Sequence, residues 1–182
     1  VRILRAADRV ATPWKNGGGV TREVAAWPPG AGLDDFDWRV SLADVAADGP
    51  FSAFPGVDRV LTVIAGDGLV LEIDGRTMRL KPGAPLAFPG EAVVMARLTA
   101  GPIRDLNVMV RRSAWTATVE PWRGGRIMAS DGPVQVVLLQ DAEDFAALDG
   151  IFIDVGETAT LDLPAEARAL TVTLRPTSPI LG

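Results

Sequence analysis

Short β-prone segments cut by glycine and proline run the length of this chain, and no other feature constrains its fold as much. The 182 residues include 19 Gly and 14 Pro. Glycine opens positive φ and proline removes a backbone donor, so this density favours short strands and turns over a helical bundle. Strand-like stretches are read at Val1–Arg5, Val20–Trp27, Trp38–Val45, Arg59–Ile64, Leu69–Ile73, Arg76–Leu80, Glu91–Leu98 and Leu106–Arg111. Trp115–Val119, Pro133–Gln140, Ile151–Val155, Thr158–Leu163 and Ala169–Leu174 continue the series. Asp74-Gly75 is a two-residue hairpin signal, and Pro82-Gly83 and Pro89-Gly90 mark further reversals. Ala142–Leu148 has few β-branched residues, and a turn or two of helix is expected there. Strands spaced this closely predict an all-β barrel or jelly roll.

The chain also echoes itself. Val60–Ile64 leads to Gly75-Arg76-Thr77-Met78-Arg79-Leu80-Lys81-Pro82. Val136–Leu139 leads to Gly156-Glu157-Thr158-Ala159-Thr160-Leu161-Asp162-Leu163-Pro164. An offset of roughly eighty residues between such segments favours a duplicated barrel.

Composition narrows the chemistry. The chain has neither histidine nor cysteine, which excludes Ser-His-Asp and Cys-His nucleophiles and zinc sites built from those ligands. Carboxylate sites for Mg²⁺ or Ca²⁺ need a loop with alternating Asp, and no such loop is read here. A net charge of −5 argues against nucleic acid as the partner. No apolar run approaches the ~20 residues that cross a bilayer as a helix, so no membrane partner and a cytoplasmic location are expected. A neutral pocket without cofactor or metal is the leading expectation.

Several polar clusters could line it. Trp14-Lys15-Asn16-Gly17-Gly18-Gly19-Val20-Thr21-Arg22-Glu23 combines three glycines with charged and hydroxyl groups. It is no phosphate loop, since Lys15 precedes the glycines and a β-prone stretch follows them. In Trp38–Val45, alternation sets Trp38, Val40 and Leu42 on one face and Arg39, Ser41 and Ala43 on the other. Arg39 beside Ser41 could clamp a carboxylate, and the plain alternative is a face turned to water. Asp48–Gly56 carries Phe51 and Phe54, which suits a loop folded over a pocket or plugging a barrel end. Asp105, Asn107 and Met109 share another face, where a buried Asp or Asn needs a partner. Asp34, Asp35 and Asp37 read as a solvated loop.

The stretch Arg59–Gly90 resembles a cupin motif, with Gly66-Asp67-Gly68, Leu71–Gly75, Leu80–Gly83 and Phe88–Gly90 in order. Cupins usually hold a metal with histidines on either side, and none can be present here. The larger set, Pro13–Glu23, Phe36–Ser41, Asp48–Ser52, Phe54–Arg59 and Gly101–Met109, resembles the HutD (Ves) family. That resemblance implies a bicupin, two tandem small β-barrels of the RmlC-like jelly-roll kind. The first would span residues 1–112 with the family motifs and the second, degenerate, residues 113–182, with terminal strands free to cross between them. It implies a proposed modulator of histidine utilisation, not an enzyme, that binds a small carboxylate such as urocanate, formylglutamate or formate. The matching positions are Lys15, Asn16, Thr21, Arg22 and Glu23, then Arg39 and Ser41, Phe51 and Ser52, and Arg104, Asp105 and Asn107.

Within that set, Arg39 or Lys15 is expected to clamp the anion and Ser41, Ser52 and Asn107 to orient it, with Phe51 as an apolar wall. Two alternatives stand beside this. One is a metal-independent isomerase or lyase using Lys15 or Glu23 as base. The other is a stress-response interaction protein with a vestigial pocket. A homodimer is left open.

Overall fold

The computed structural model of the chain describes residues 1–142, 144–164 and 168–178. Among these, seventeen strands and one short 3-10 turn at Ala6–Asp8 are formed. In chain order the strands are β1 (Arg2–Leu4), β2 (Ala11–Pro13), β3 (Gly19–Trp27), β4 (Trp38–Val45), β5 (Gly49–Pro50) and β6 (Val57–Ala65). Then come β7 (Leu69–Ile73), β8 (Arg76–Leu80), β9 (Pro85–Pro89), β10 (Val94–Leu98), β11 (Ile103–Arg111) and β12 (Trp115–Trp122). The rest are β13 (Gly125–Met128), β14 (Val134–Leu138), β15 (Gly150–Ile153), β16 (Thr158–Leu161) and β17 (Ala169–Pro176). The all-β expectation holds.

Two units form. Val10–Ser113 is one, and residues from Ala114 onward, joined by Val1–Arg9, are the other. The first unit therefore starts at Val10 and not at residue 1. The reason is pairing: Arg2, Ile3 and Leu4 lie opposite Phe152, Ile151 and Gly150. Arg5 reinforces this with an ion pair to the buried Asp149, 2.7 Å away, and the same carboxylate accepts from the Ala6 amide at 2.7 Å.

The first unit sets a six-stranded sheet, β2-β3-β4-β11-β6-β9, against a four-stranded one, β5-β10-β7-β8. Ala43, Val45, Leu61, Val63 and Ile103 from the larger sheet pack with Leu69, Leu71, Leu80, Val94 and Ala96 from the smaller. Alternation explains the choice, since these are every second residue of their strands. On β4 and β11 the opposite positions, Trp38, Val40, Leu42, Leu106 and Val108, are buried too. Both strands are thus covered on each face, and each still carries polar residues, Arg39, Ser41 and Asp44 on β4 and Arg104, Asp105 and Asn107 on β11. The Asp74-Gly75 hairpin forms with positive φ at both residues, 47° and 79°, as its tight turn demands.

In the second unit a five-stranded sheet, β1-β15-β14-β17-β12, shares a core with the β13-β16 ribbon. That core is apolar: Val134, Val136, Leu138, Ile151, Ile153, Leu161 and Ala169 with Trp122 and Phe145. The two arms of the sequence echo occupy like places. β6 and β14 lie in the larger sheet of their units, β8 and β16 in the smaller.

The helical turn expected over Ala142–Leu148 does not form; residue 143 lies outside the described residues. Ala142 instead bridges to Phe145, and side chains take over the backbone donors. Asp141 accepts from the Ala147 amide at 2.8 Å and Asp149 from the Ala146 amide at 3.2 Å. Local carboxylate–amide bonds of this kind compete with helix.

Candidate functional site

The first unit's inner face changes character partway along the strands. Strand register arranges its inward positions in three cross-strand rows. The first runs Thr21, Ala43, Asp105 and Val63. The second runs Glu23, Ser41, Asn107 and Leu61. The third runs Arg39, Met109, Arg59 and Phe88. Beyond the first row, Val45 and Ile103 belong to the apolar core. Thus Thr21, Glu23, Arg39, Ser41, Asp105 and Asn107 are brought together as a polar field continuing that core.

Arg59 stands within this field. It is only 6% exposed, and its guanidinium lies 5.1 Å from the Phe51 ring centre, 5.2 Å from Phe88 and 5.7 Å from Phe54. Three rings stabilise a buried cation through their π faces. Its hydrogen bonds are long: Nε donates to Asn107 Oδ1 and Nη1 to the Ser52 carbonyl, each at 3.4 Å. A guanidinium carries five N–H donors, so this one is poorly satisfied. Burial lowers its pKa to about 10 against the opposing pull of Asp105, and it stays charged near neutral pH. Arg59 lies outside the polar clusters that the sequence marks. The signal was present in Val57-x-Arg59-x-Leu61-x-Val63, where a charge occupies an inward position.

Asp105 and Ser41 are 2% and 1% exposed. Burial pushes the Asp105 carboxyl up to about 7; the Arg59 charge opposes this and the Asp44 charge adds to it. Its Oδ1 has no hydrogen-bond partner.

The remaining expected residues fall elsewhere or act differently. Arg39 is on the inner face, with its Nε paired to Glu23 at 2.8 Å. Thr21 accepts from the Trp14 indole at 2.7 Å, bracing the turn below it. Phe51 stands against the Arg59 guanidinium, and the exposed Ser52 accepts from that guanidinium through its backbone carbonyl. Arg22 and Arg104 alternate onto the opposite face, where both bind Asp44, at 2.6 and 2.5 Å. Burial works against the Asp44 charge, but those two bonds outweigh it and hold its carboxyl below the usual range.

Lys15 and Asn16 sit in the exposed β2–β3 turn, where Asn16 Oδ1 accepts from the Gly18 amide at 2.9 Å. The turn ends at Gly19, opposite Val45, four residues from Ser41. The first row of the field, Thr21 and Ala43, begins two residues along from that end. Neighbours in a strand point to opposite faces, so Arg22 and Arg104 lie across the sheet from Glu23 and Asp105, and Lys15 and Asn16 lie in the turn.

Comparison with known proteins places this geometry in context. The HutD family model matches residues 6–178. A Pseudomonas putida protein described as an uncharacterized 21.2 kDa protein in the hutC 3' region is 43% identical over 126 residues, 69% of this chain and 65% of its own length. Protein Ves of Citrobacter koseri is 44% identical over 108 residues, 58% of this chain and 56% of its own. The match thus spans less than two thirds of either curated relative. Among solved structures, HutD from Pseudomonas fluorescens SBW25 (formate condition) superposes with TM-score 0.83 at 36% identity, covering 97% of this chain and 99% of that one. A cupin 2 conserved barrel domain protein from Leptotrichia buccalis shares the fold alone, with TM-score 0.53 and 13% identity over 91% of this chain and 92% of that one.

Proposed function

The chain belongs to the HutD family, and from that premise we propose that it binds a small carboxylate metabolite in its first unit as a modulator of histidine utilisation. One observation carries the reading: Arg59 is a buried, under-bonded cation framed by three phenylalanines and bordered by Ser41 and Asn107. A carboxylate is the partner a guanidinium fork fits best, and Ser41 and Asn107 supply orienting hydrogen bonds. Phe51, Phe54 and Phe88 exclude water, which strengthens the charge pairing. The site needs no metal and no cofactor. Two related names support the ligand class and setting. The P. fluorescens structure is described as a formate condition, and the P. putida relative lies beside hutC. On this reading the molecule is a bicupin whose second unit, built around an apolar core, keeps the fold without the arginine-centred site.

A thermal-shift series with urocanate, formylglutamate and formate tests it. Ligand at about 100 times Kd adds roughly 2.7 kcal/mol, which at this size raises Tm by about 5–10 °C. If none of the three moves the melting point, the carboxylate reading is wrong. A second reading, an isomerase or lyase, has one observation in its favour: a buried carboxyl at about 7 is tuned for general acid–base work. Glu23, bound to Arg39, is the weaker base. Turnover of a pathway intermediate that is lost in Asp105→Asn would select this reading.

A further inference from the structure

The anion-binding reading leaves the buried carboxyl of Asp105 without a role. It shares the inner face with Asn107, one inward position further along β11, and lies opposite Ala43 and Val63. Its orphaned Oδ1 is an acceptor with nothing to accept, a costly state for an ionised group and a useful one for an acid that can donate. The charges that bear on it can be named strand by strand. From β6, Arg59 favours its ionised form. On β4, Arg39 is taken up by Glu23 of β3, while Asp44 on the opposite face adds negative charge. Arg104, its chain neighbour, also points to that opposite face and is bound to Asp44. The facing sheet offers apolar groups, Leu69, Leu71, Val94 and Ala96.

Arg59, which has no ion pair of its own among the described residues and whose Nε reaches the intervening Asn107, is thus the cation of the same face that bears on Asp105 without touching it. A ligand carboxylate arriving at Arg59 places two negative groups around one buried positive charge. Two carboxyl groups sharing such a site hold a proton between them. We propose that carboxylate binding at Arg59 is coupled to uptake of one proton by Asp105, whose neutral carboxyl then donates a hydrogen bond toward the bound anion. The inference rests on the carboxylate-binding reading and adds its regulation. One proton leaves solvent and resides on the Asp105–ligand pair, and no covalent bond to carbon changes. Because the free carboxyl already sits at about 7, the proton is in place below that pH and must be acquired above it.

Calorimetric titration with formate, in buffers of contrasting ionisation enthalpy from about pH 6 to about pH 9, reads this directly, since a free carboxylate stays ionised throughout. Proton uptake should approach one per formate at the alkaline end. Affinity should be level below about pH 7 and fall about tenfold per pH unit above it. Asp105→Asn should bind formate with pH-independent affinity. Formate binding with flat affinity and no proton uptake in the wild type overturns the coupling alone, as does an Asp105→Asn variant that keeps the slope. If the variant does not fold, the wild-type proton count decides. No formate binding at any pH overturns the carboxylate reading and the coupling with it.

Discussion

Arg59 and Asp105 show how residue-scale energetics shape this protein. Both are buried charges whose internal bonds fall short of what burial demands, one with two bonds of 3.4 Å and the other with an orphaned oxygen. Asp105 gives a stability prediction with a definite sign. Its folded pKa lies above its unfolded one, so the native state binds the proton more tightly. Stability from this group is full below about pH 4 and is lost as pH rises through about 7. Urea midpoints should therefore decline for the wild type between those pH values, and Asp105→Asn should remove that part of the decline. A variant whose midpoint falls just as steeply would show that Asp105 is ionised throughout. The alternation that exposed Ser41, Asp105 and Asn107 in the sequence was equally available for Arg59. It was obscured because the strand was started at Arg59 itself, hiding the inward Val57 before it.

At the scale of elements, proline separates the strands that were legible from those that were not. The unforeseen β2, β5 and β9 contain Pro13, Pro50, and Pro85 with Pro89, and each is the edge strand of its sheet. Proline survives there because an edge strand leaves one row of amides unpaired, and its presence masks the strand signal. β13, the fourth, opens on Gly125 and pairs only with β16. Strands without proline, such as β4, β7 and the edge strand β8, are legible to their true ends because alternation and the hairpin signal agree. Two variants test the β3–β4 pairing. A Cβ on Gly19 would stand 2.7 Å from the Asp44 carbonyl and 3.0 Å from the Trp14 ring. Gly19→Ala should cost about 1–3 kcal/mol by denaturant unfolding, as overpacking does; an unchanged midpoint would mean β3 moves freely there. Asp44→Ala should cost only about 1 kcal/mol or less, because the Arg22 and Arg104 pairs are more than a third exposed. It should leave formate affinity at pH 6 unchanged, since that cluster lies on the other face; a clear loss would place Arg22 or Arg104 in the site.

On the scale of the molecule, the two units share sheet architecture and differ in what their inner faces hold. The first joins its apolar core to a field of charged and polar groups, whereas the apolar core of the second is interrupted on β17 by the hydroxyl of the buried Thr171. The family motifs lie in the half that carries the polar field, and strand alternation divides their residues between the two faces of its larger sheet. With no histidine in the chain, the buried polar groups of that field are Arg59, Asp105 and Ser41, with Asn107 beside them. Direct titration of formate at pH 6 into the wild type, Arg59→Gln and Lys15→Ala separates the clamp proposed here from the one expected from motif adjacency. Wild type and Lys15→Ala should bind alike, and Arg59→Gln should lose at least about tenfold, the worth of a charged hydrogen bond. Unchanged affinity in Arg59→Gln, or loss in Lys15→Ala alone, would contradict the account.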